Sequence, residues 1–574
     1  MHYWRVSGQG WNARGTTVLS IAALFFCCSQ QLYAQTQTSE NQSSFTVSGT
    51  VLNSVTREPI GRAMVYSTDT RYATFTDSLG QFELRIAGAQ DGGGDGVRFT
   101  PMAALQARKP GFLSAPGARG HAVVSPAKKE VTLSLVPEGL IVGQVKFPSS
   151  ETAVVAQVSL YRREVRDGFG RWERLSEART RWDGEYRFAE LRPGQYKVYT
   201  AEALDRDPLA TGPGAPVYGF PPRFFAAALD FASADTIEVH AGETVTANMT
   251  PERQRYFDVA IPVSGAATAD FGVMVAVYAQ GHRGPGFELG YDPERHAVRG
   301  SLPNGTYTVE ALSYGPTSMT GTTSVTITNE AVMGSPITLT TNPSIEVNVR
   351  AQLSEAESSQ TRHQLQTPTA YITLRSADEY SEERGPGQVY QSHSSPPKLE
   401  GVKPGRYWVQ IQPSGPNLYA AAVTSGMTDL LRAPLVVPAG ASVPAIEVTL
   451  RDDAGVIEVT VEGAPEDASS MVSGMAVAYS GPMHSGMNGT GLDMNLWAIP
   501  TGGGAARWFS ERANGTYKLR QVPPGDYRVA AFDAPQEIEA HNPVAMRAYE
   551  TKGQIVHVTA GETAKVRVKL ETSE

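Results

Sequence analysis

The eight-residue phrase LRPGQYKV, Leu191–Val198, recurs as LPNGTYTV at Leu302–Val309, VKPGRYWV at Val402–Val409 and VPPGDYRV at Val522–Val529. Four copies about a hundred residues apart restrict the chain to an array of like modules, each built on the same local turn. In the first copy Pro193 fixes φ near the value needed at the second position of a β-turn. Gly194 then supplies the positive φ that a type II turn needs at its third position. Gly305, Gly405 and Gly525 hold the same place, and Asn304, just before Gly305, also tolerates positive φ. Downstream, Tyr196 and Val198 point to one face of a strand and Gln195 and Lys197 to the other. Tyr307/Val309, Tyr407/Val409 and Tyr527/Val529 repeat that alternation. The phrase therefore predicts a tight turn feeding a half-buried strand, the same hairpin in successive modules.

Two further phrases support the repeat. TRWDGEYRF (Thr180–Phe188) and ERANGTYKL (Glu511–Leu519) place Gly184 and Gly515 ten residues before Gly194 and Gly525, and TDSLGQFEL (Thr76–Leu84) is a similar segment. Asp-Gly and Asn-Gly between alternating residues signal hairpins. IEVHAGETVTANM (Ile237–Met249) matches IVHVTAGETAKVRVKL (Ile555–Leu570), with VVPAGASVPAIEVTL (Val436–Leu450) a looser copy, each read as two strands around an Ala-Gly turn. With 56 Gly and 38 Pro in 574 residues, short strands joined by turns are favoured over helical bundles. The predicted fold is all-β: five tandem Ig-like or transthyretin-like sandwiches at 45–136, 137–252, 253–345, 346–452 and 453–574, a usual size for such domains. In such an array each module couples mainly to its neighbours. The first residues after residue 34, the glycine run Gly88–Gly96 and the polar stretch Glu355–Thr367 are predicted to lie outside the sandwiches.

The N-terminus reads as a secretory signal. Arg5 and Arg14 precede an apolar run, Val18–Cys28, too short to span a bilayer, and Leu32-Tyr33-Ala34 ends in the small residue that a signal peptidase takes. Cleavage is expected after Ala34, so that residues 1–34 are a signal peptide. A lipid-anchored Cys27 or Cys28 is the rival reading, opposed by Phe25 and Phe26 where small residues are needed. Both cysteines lie in the segment removed, leaving neither disulfide nor thiol in a chain sent to an oxidising compartment. Losing Arg5 and Arg14 takes the formal charge from −9 to −11, a poor match for nucleic acid or anionic membranes. No other apolar run is long enough for a transmembrane helix. The expected location is secreted, periplasmic or at the cell surface.

The first unit carries a family resemblance. VSGTVLNSVTREPIGRAMVYS (Val47–Ser67), TDSLGQFEL, ARKPGF (Ala107–Phe112) and VTLSL (Val131–Leu135) together resemble the carboxypeptidase regulatory-like domain. The matching positions are Gly49, Val51, Glu58-Pro59-Ile60, Ala63, Val65, Thr76, Asp77, Gly80, Phe82 and Gly111-Phe112. The resemblance implies a transthyretin-like sandwich, grouped with carbohydrate-binding-like folds, and a secreted context. It implies no catalytic residues, because this domain is an appendage to the zinc enzymes that carry it. The second and fifth units match through the hairpin and closing phrases, the third and fourth chiefly through the eight-residue phrase.

Candidate chemistry is sparse. His240 and Glu243 have the spacing of two zinc ligands, but the fifth unit builds the same turn as Thr559-Ala560-Gly561-Glu562, without the histidine. Met483, His484 and Met487 could suit Cu(I), although a Met-containing loop explains them as well. Neither a nucleophile elbow nor a phosphate loop stands in a convincing setting. No catalytic residue, metal site or cofactor is predicted. Aromatic residues are the better lead, because exposed rings stack on sugars. Trp172, Trp182, Tyr218, Phe220, Phe224 and Phe225, the last four within PVYGFPPRFFAAALDF (Pro216–Phe231), are the candidate ligand-binding set. Covering the open end of the second sandwich core is their alternative role. The function expected is that of a non-catalytic binding or scaffold protein at the bacterial envelope, with glycan or envelope proteins as partners. The alternatives are a carbohydrate-binding protein, and an accessory subunit of a secreted hydrolase or an undetected hydrolase.

Overall fold

The computed structural model describes residues 44–571, apart from 88–102, 117–119, 128, 148–154, 167, 206–215, 266–271, 280, 314–316, 355–368, 381–396, 415–417, 464–494, 502–505, 509–510, 514–515 and 533–535. The signal segment, the glycine run, the polar stretch Glu355–Thr367 and the group Met483, His484 and Met487 lie outside the described residues. Within them the chain is an all-β array of sandwich units, with one short α-helix, Pro543–Met546.

One strand pattern is repeated five times. The opening strand of each unit (Phe45–Asn53, Gly139–Gln144, Gln254–Ser264, Ile345–Gln352, Gly455–Glu462) pairs antiparallel with one later strand and parallel with the strand that closes the unit. The antiparallel partners are Gln81–Ile86, Glu185–Leu191, Ala297–Pro303, Lys398–Leu399 and Thr516–Val522. The parallel partners are Glu130–Pro137, Thr244–Thr246, Val332–Met333 with Ile337–Thr338, Ile446–Arg451 and Thr563–Glu571. Apolar side chains alternate inward along these strands: Phe45 and Val47 on the first opening strand, and Phe82, Leu84 and Ile86 on its antiparallel partner, are buried. Five separate cores result, centred on Val47/Leu133, Ile141/Val198, Ile261/Val309, Val347/Val448 and Val459/Val529.

The repeated phrase does not form a hairpin. In the second unit Glu185–Leu191 belongs to one sheet and Gly194–Thr200 to the other, and the third and fourth units make the same switch. The phrase is a corner. Each tyrosine is buried and its hydroxyl donates to the carbonyl four residues back: Tyr196 to Arg192 (2.5 Å), Tyr307 to Pro303 (3.1 Å), Tyr407 to Lys403 (2.9 Å) and Tyr527 to Pro523 (2.8 Å). That bond closes the chain's path between sheets, the arrangement known as a tyrosine corner. It also corrects the turn type. Gly194, Gly305 and Gly525 have φ of 152°, 155° and 148°, far from the value near +80° of a type II turn. In the third and fourth units the tyrosine ring folds back over Gly305 and Gly405 as it reaches its acceptor. A Cβ on Gly305 would lie 2.9 Å from the Tyr307 hydroxyl.

The closing phrase is likewise a corner. Ile237–Val239 pairs with the tyrosine strand of the second unit, whereas Thr244–Thr246 crosses to the opening strand Gly139–Gln144 in the other sheet.

The units are not coupled only to sequence neighbours. The adjacent second and third units share a sheet, in which Ala203–Asp205 pairs with Val217–Phe220 and that strand pairs with the third unit's opening strand at Val217 and Tyr256. The hairpin Gln157–Arg166/Phe169–Arg179 is longer than the usual five or six residues per strand, and its tip reaches the fourth and fifth units. These contacts add to the coupling expected mainly between neighbours. A strand pair projecting beyond its own core must find cover for both faces. No helix among the described residues is long and apolar enough to cross a membrane.

Tyr196→Phe should cost about 1 kcal/mol through the lost corner hydrogen bond, and Tyr196→Ala roughly 3–5 kcal/mol through the cavity left by the ring. Urea titrations of the three proteins measure both.

Candidate functional site

The six aromatic candidates do not form one surface. Trp172 is 6% exposed and Phe224 2%, both in a cluster with Tyr161, Tyr199, Phe231 and Tyr380. Phe220 is buried edge-on against Phe147, ring centroids 4.6 Å apart. Phe225 packs on the core of the second unit, and Tyr218 lies beneath the Arg253 guanidinium at 4.3 Å. Only Trp182 of the six stands free, 82% exposed on the turn before Glu185–Leu191. Trp172 and Phe224 belong to a cluster that another unit joins, whereas Phe220 and Phe225 pack within the second unit, on Phe147 and on the core.

The cluster forms where the second unit meets the fourth. Tyr161, Lys197 and Tyr199 lie on the face of their sheet turned away from the core of Val158, Leu160 and Val198. Lys197 Nζ donates to the Phe231 carbonyl at 2.7 Å and sits 5.0 Å from the Trp172 ring and 4.9 Å from the Phe231 ring. Burial pulls its pKa down, while Glu379, Asp230 and Asp235 pull it upward. Tyr380 of the fourth unit completes the cluster, 4.8 Å from Phe231, and the Trp172 amide donates to the Glu379 carbonyl at 2.7 Å. Arg171 Nη2 donates to the Ser376 carbonyl, also at 2.7 Å.

At the hairpin tip the fifth unit joins. Phe169 stacks on His541 with centroids 4.2 Å apart and planes 6° from parallel, and Trp408 of the fourth unit lies 4.6 Å from the same imidazole. Arg163 bridges Glu539 (2.7 Å) and Glu379 (3.2 Å). Gly168, with φ of +83°, makes this approach, and a Cβ there would lie in ordinary contact with that of Ala540, at 3.4 Å. Burial pushes His541 down to about 4.

Sequence reasoning missed Phe169, Lys197, Tyr380, Trp408, Glu539 and His541. The available signal was burial-type residues on both faces of one strand: Leu160 beside Tyr161, and Val198 beside Tyr199.

Elsewhere the chemistry is self-satisfied. His240 is exposed, and its backbone N–H donates to the Glu243 carboxylate at 2.8 Å, so Glu243 braces the turn. Among the described residues no group of His, Cys, Asp or Glu is placed to hold a metal. A cleft of about 620 Å³ on the third unit is lined by Asp258, Asp292, Arg299, Ser301, Val332 and Met333. Its charges pair with one another: Asp292 with Arg295 (2.9 Å) and Arg299 (3.7 Å), and Asp258 with the Ser301 hydroxyl (3.1 Å). Where the second unit's chain runs into the third, burial pushes Glu202 up to about 7, with Glu288 adding to the shift and Tyr256 opposing it.

No protein-family model matches the chain, and no curated protein matches its sequence. Among solved structures it is similar to the Bacillus anthracis TIE protein, at 10% identity over 93% of this chain and 76% of that one, with a TM-score of 0.15. It is similar to the pilus adhesin SpaC from Lactobacillus rhamnosus GG in its open conformation, at 11% identity over 52% and 43%, TM-score 0.16. A Streptococcal ancillary pilin aligns at 12% identity over 52% and 99%, TM-score 0.18. Superpositions this loose bear on neither function nor arrangement.

The Glu202 shift gives a pH test. A carboxyl raised in the folded state contributes most below its ordinary value of 4.5, and that contribution is lost as pH rises through about 7. Glu202→Gln should therefore raise the melting temperature at pH 8 relative to the parent, and leave it nearly unchanged at pH 4.5.

Proposed function

We propose that this chain is a secreted, non-catalytic binding or scaffold protein of the bacterial envelope, presenting surfaces on a self-braced set of β-sandwiches. One observation supports this above the rest. The aromatic and charged side chains best suited to a binding or catalytic site (Trp172, Phe224, Lys197, Arg163, His541) are consumed in contacts between units. What remains outward is turn and strand surface. The first unit continues directly into the second, Glu130–Pro137 running into Gly139–Gln144, and serves as the carboxypeptidase regulatory-like appendage of this array. Export by the segment ending at Ala34 completes the reading, so the mature chain begins at Gln35, which mass spectrometry of exported material measures.

Saturable binding of the purified chain to envelope preparations should be lost when the envelope is treated with protease and kept when it is treated with glycosidases. The carbohydrate-binding reading rests on Trp182, the aromatic face left free. Glycan-array binding abolished by Trp182→Ala would favour that reading instead. Release of product from any arrayed glycan or test peptide would overturn the non-catalytic assignment and favour a hydrolase.

A further inference from the structure

His541 closes the contact between the second unit and the last two, and it does so without a counter-charge. Its ring stacks on Phe169 and also touches Trp408, which itself lies 5.4 Å from Phe169, and its backbone N–H reaches the Gly168 carbonyl at 3.4 Å. Among the described residues no hydrogen bond or ion pair to the imidazole is present. The charged groups around it are committed elsewhere. From the hairpin, Arg163 holds Glu539 and Glu379, while Glu164 is taken by Arg162 (3.4 Å) and Arg166 (2.9 Å). From the fourth unit, Arg375 stands opposite Trp408 in the strand register and donates to Gln410. On the segment that carries His541, Glu539 is already paired and Glu537 lies 3.9 Å from Arg162 with its side chain 58% exposed.

We propose that this junction is an acid-opened clasp, in which protonation of His541 releases the fourth and fifth units from the hairpin tip of the second while each sandwich stays folded. The contact is a closure between units that are distant in sequence, whereas each sandwich has its own core of buried aliphatic residues. A proton on His541 places a cation against two packed rings, with Glu539 and Glu379 already held by Arg163. Attraction of the cation to the Phe169 and Trp408 faces offsets part of that cost, but burial prevails and holds the imidazole down to about 4.

The linkage has a definite sign. The closed form binds the proton more weakly than the open form, whose imidazole titrates at its ordinary value of 6.5. The clasp is therefore fully held above 6.5, weakens as pH falls from 6.5 towards 4, and loses nothing further below that. At pH 5 the two values together give closure weakened on the order of thirtyfold relative to pH 7.5. Glu537 is shifted upward and opposes this, since its closed form takes the proton more readily, but its exposure makes it the smaller contribution. Glu202 also acts in the opposite direction, at the seam with the third unit.

Hydrogen exchange on the full chain tests the clasp. After correction for intrinsic rates, peptides covering 168–173 and 538–542 should lose about ten- to thirtyfold of their protection between pH 7.5 and pH 5, while 456–461 and 347–350 keep theirs. His541→Phe, which preserves the stack without a titrating group, should abolish the loss. His541→Gln serves the same purpose if the phenylalanine variant does not fold. Equal protection at both pH values in the parent, or the same loss in the non-titrating variant, would overturn the proposal.

Discussion

The bond from each corner tyrosine to the carbonyl four residues back decides where the chain goes in the last four units. It carries the strand after the Pro-Gly or Asn-Gly step out of one sheet and into the other, and in the third and fourth units the ring lies over Gly305 and Gly405, where a side chain would obstruct it. Tyr196, Tyr307, Tyr407 and Tyr527 then face inward, so the residues between and after them face out. Those outward positions are where the units meet. Lys197 and Tyr199 join the aromatic cluster, and Trp408 reaches His541. In the third unit Glu310 accepts from Tyr278 (3.1 Å) and Arg283 (3.4 Å), and Arg283 extends towards Asp378 of the fourth at 3.9 Å. A device that closes one unit thus also defines the faces by which units pack.

The interlock has a physical cost that the sequence had to meet. A hairpin extending past its own core exposes two apolar faces, and the second unit covers both with groups from other units. Burying Arg163 and Lys197 there is tolerable because each is hydrogen-bonded: Arg163 to two carboxylates, Lys197 to the Phe231 carbonyl between two rings. At this junction His541 has no such compensation, which makes the contact responsive to protons.

Much of the fold was legible and much of the arrangement was not. A repeated turn, period-two alternation and glycine placement are local signals, and they give an array of sandwiches with Tyr196 and its counterparts inside. The same local signals misread the phrase as a hairpin, because whether a chain turns within a sheet or between sheets depends on where the tyrosine hydroxyl finds its acceptor. The candidate aromatic residues were singled out for size and exposure. Trp182 kept its exposure, but Phe224 is covered by Tyr199 and Phe231 of its own unit, and Trp172 meets Tyr380, more than 200 residues away in sequence. Contacts at that separation leave no periodic trace. Their one local sign is a strand apolar on both faces, as in VSLY at Val158–Tyr161.

An engineered disulfide tests most directly whether the units close back on one another. Gly168 lies in the second unit and Ala540 in the fifth, and a Cβ at Gly168 would stand 3.4 Å from that of Ala540, near the spacing a disulfide needs. Gly168→Cys combined with Ala540→Cys, in a chain with Cys27 and Cys28 replaced by serine, should form an intramolecular bond on mild oxidation at pH 7.5, read as a faster-migrating band without reductant. Free thiols under the same conditions, or bonds only between molecules, would contradict the closed arrangement and return the protein to independent sandwiches on a string.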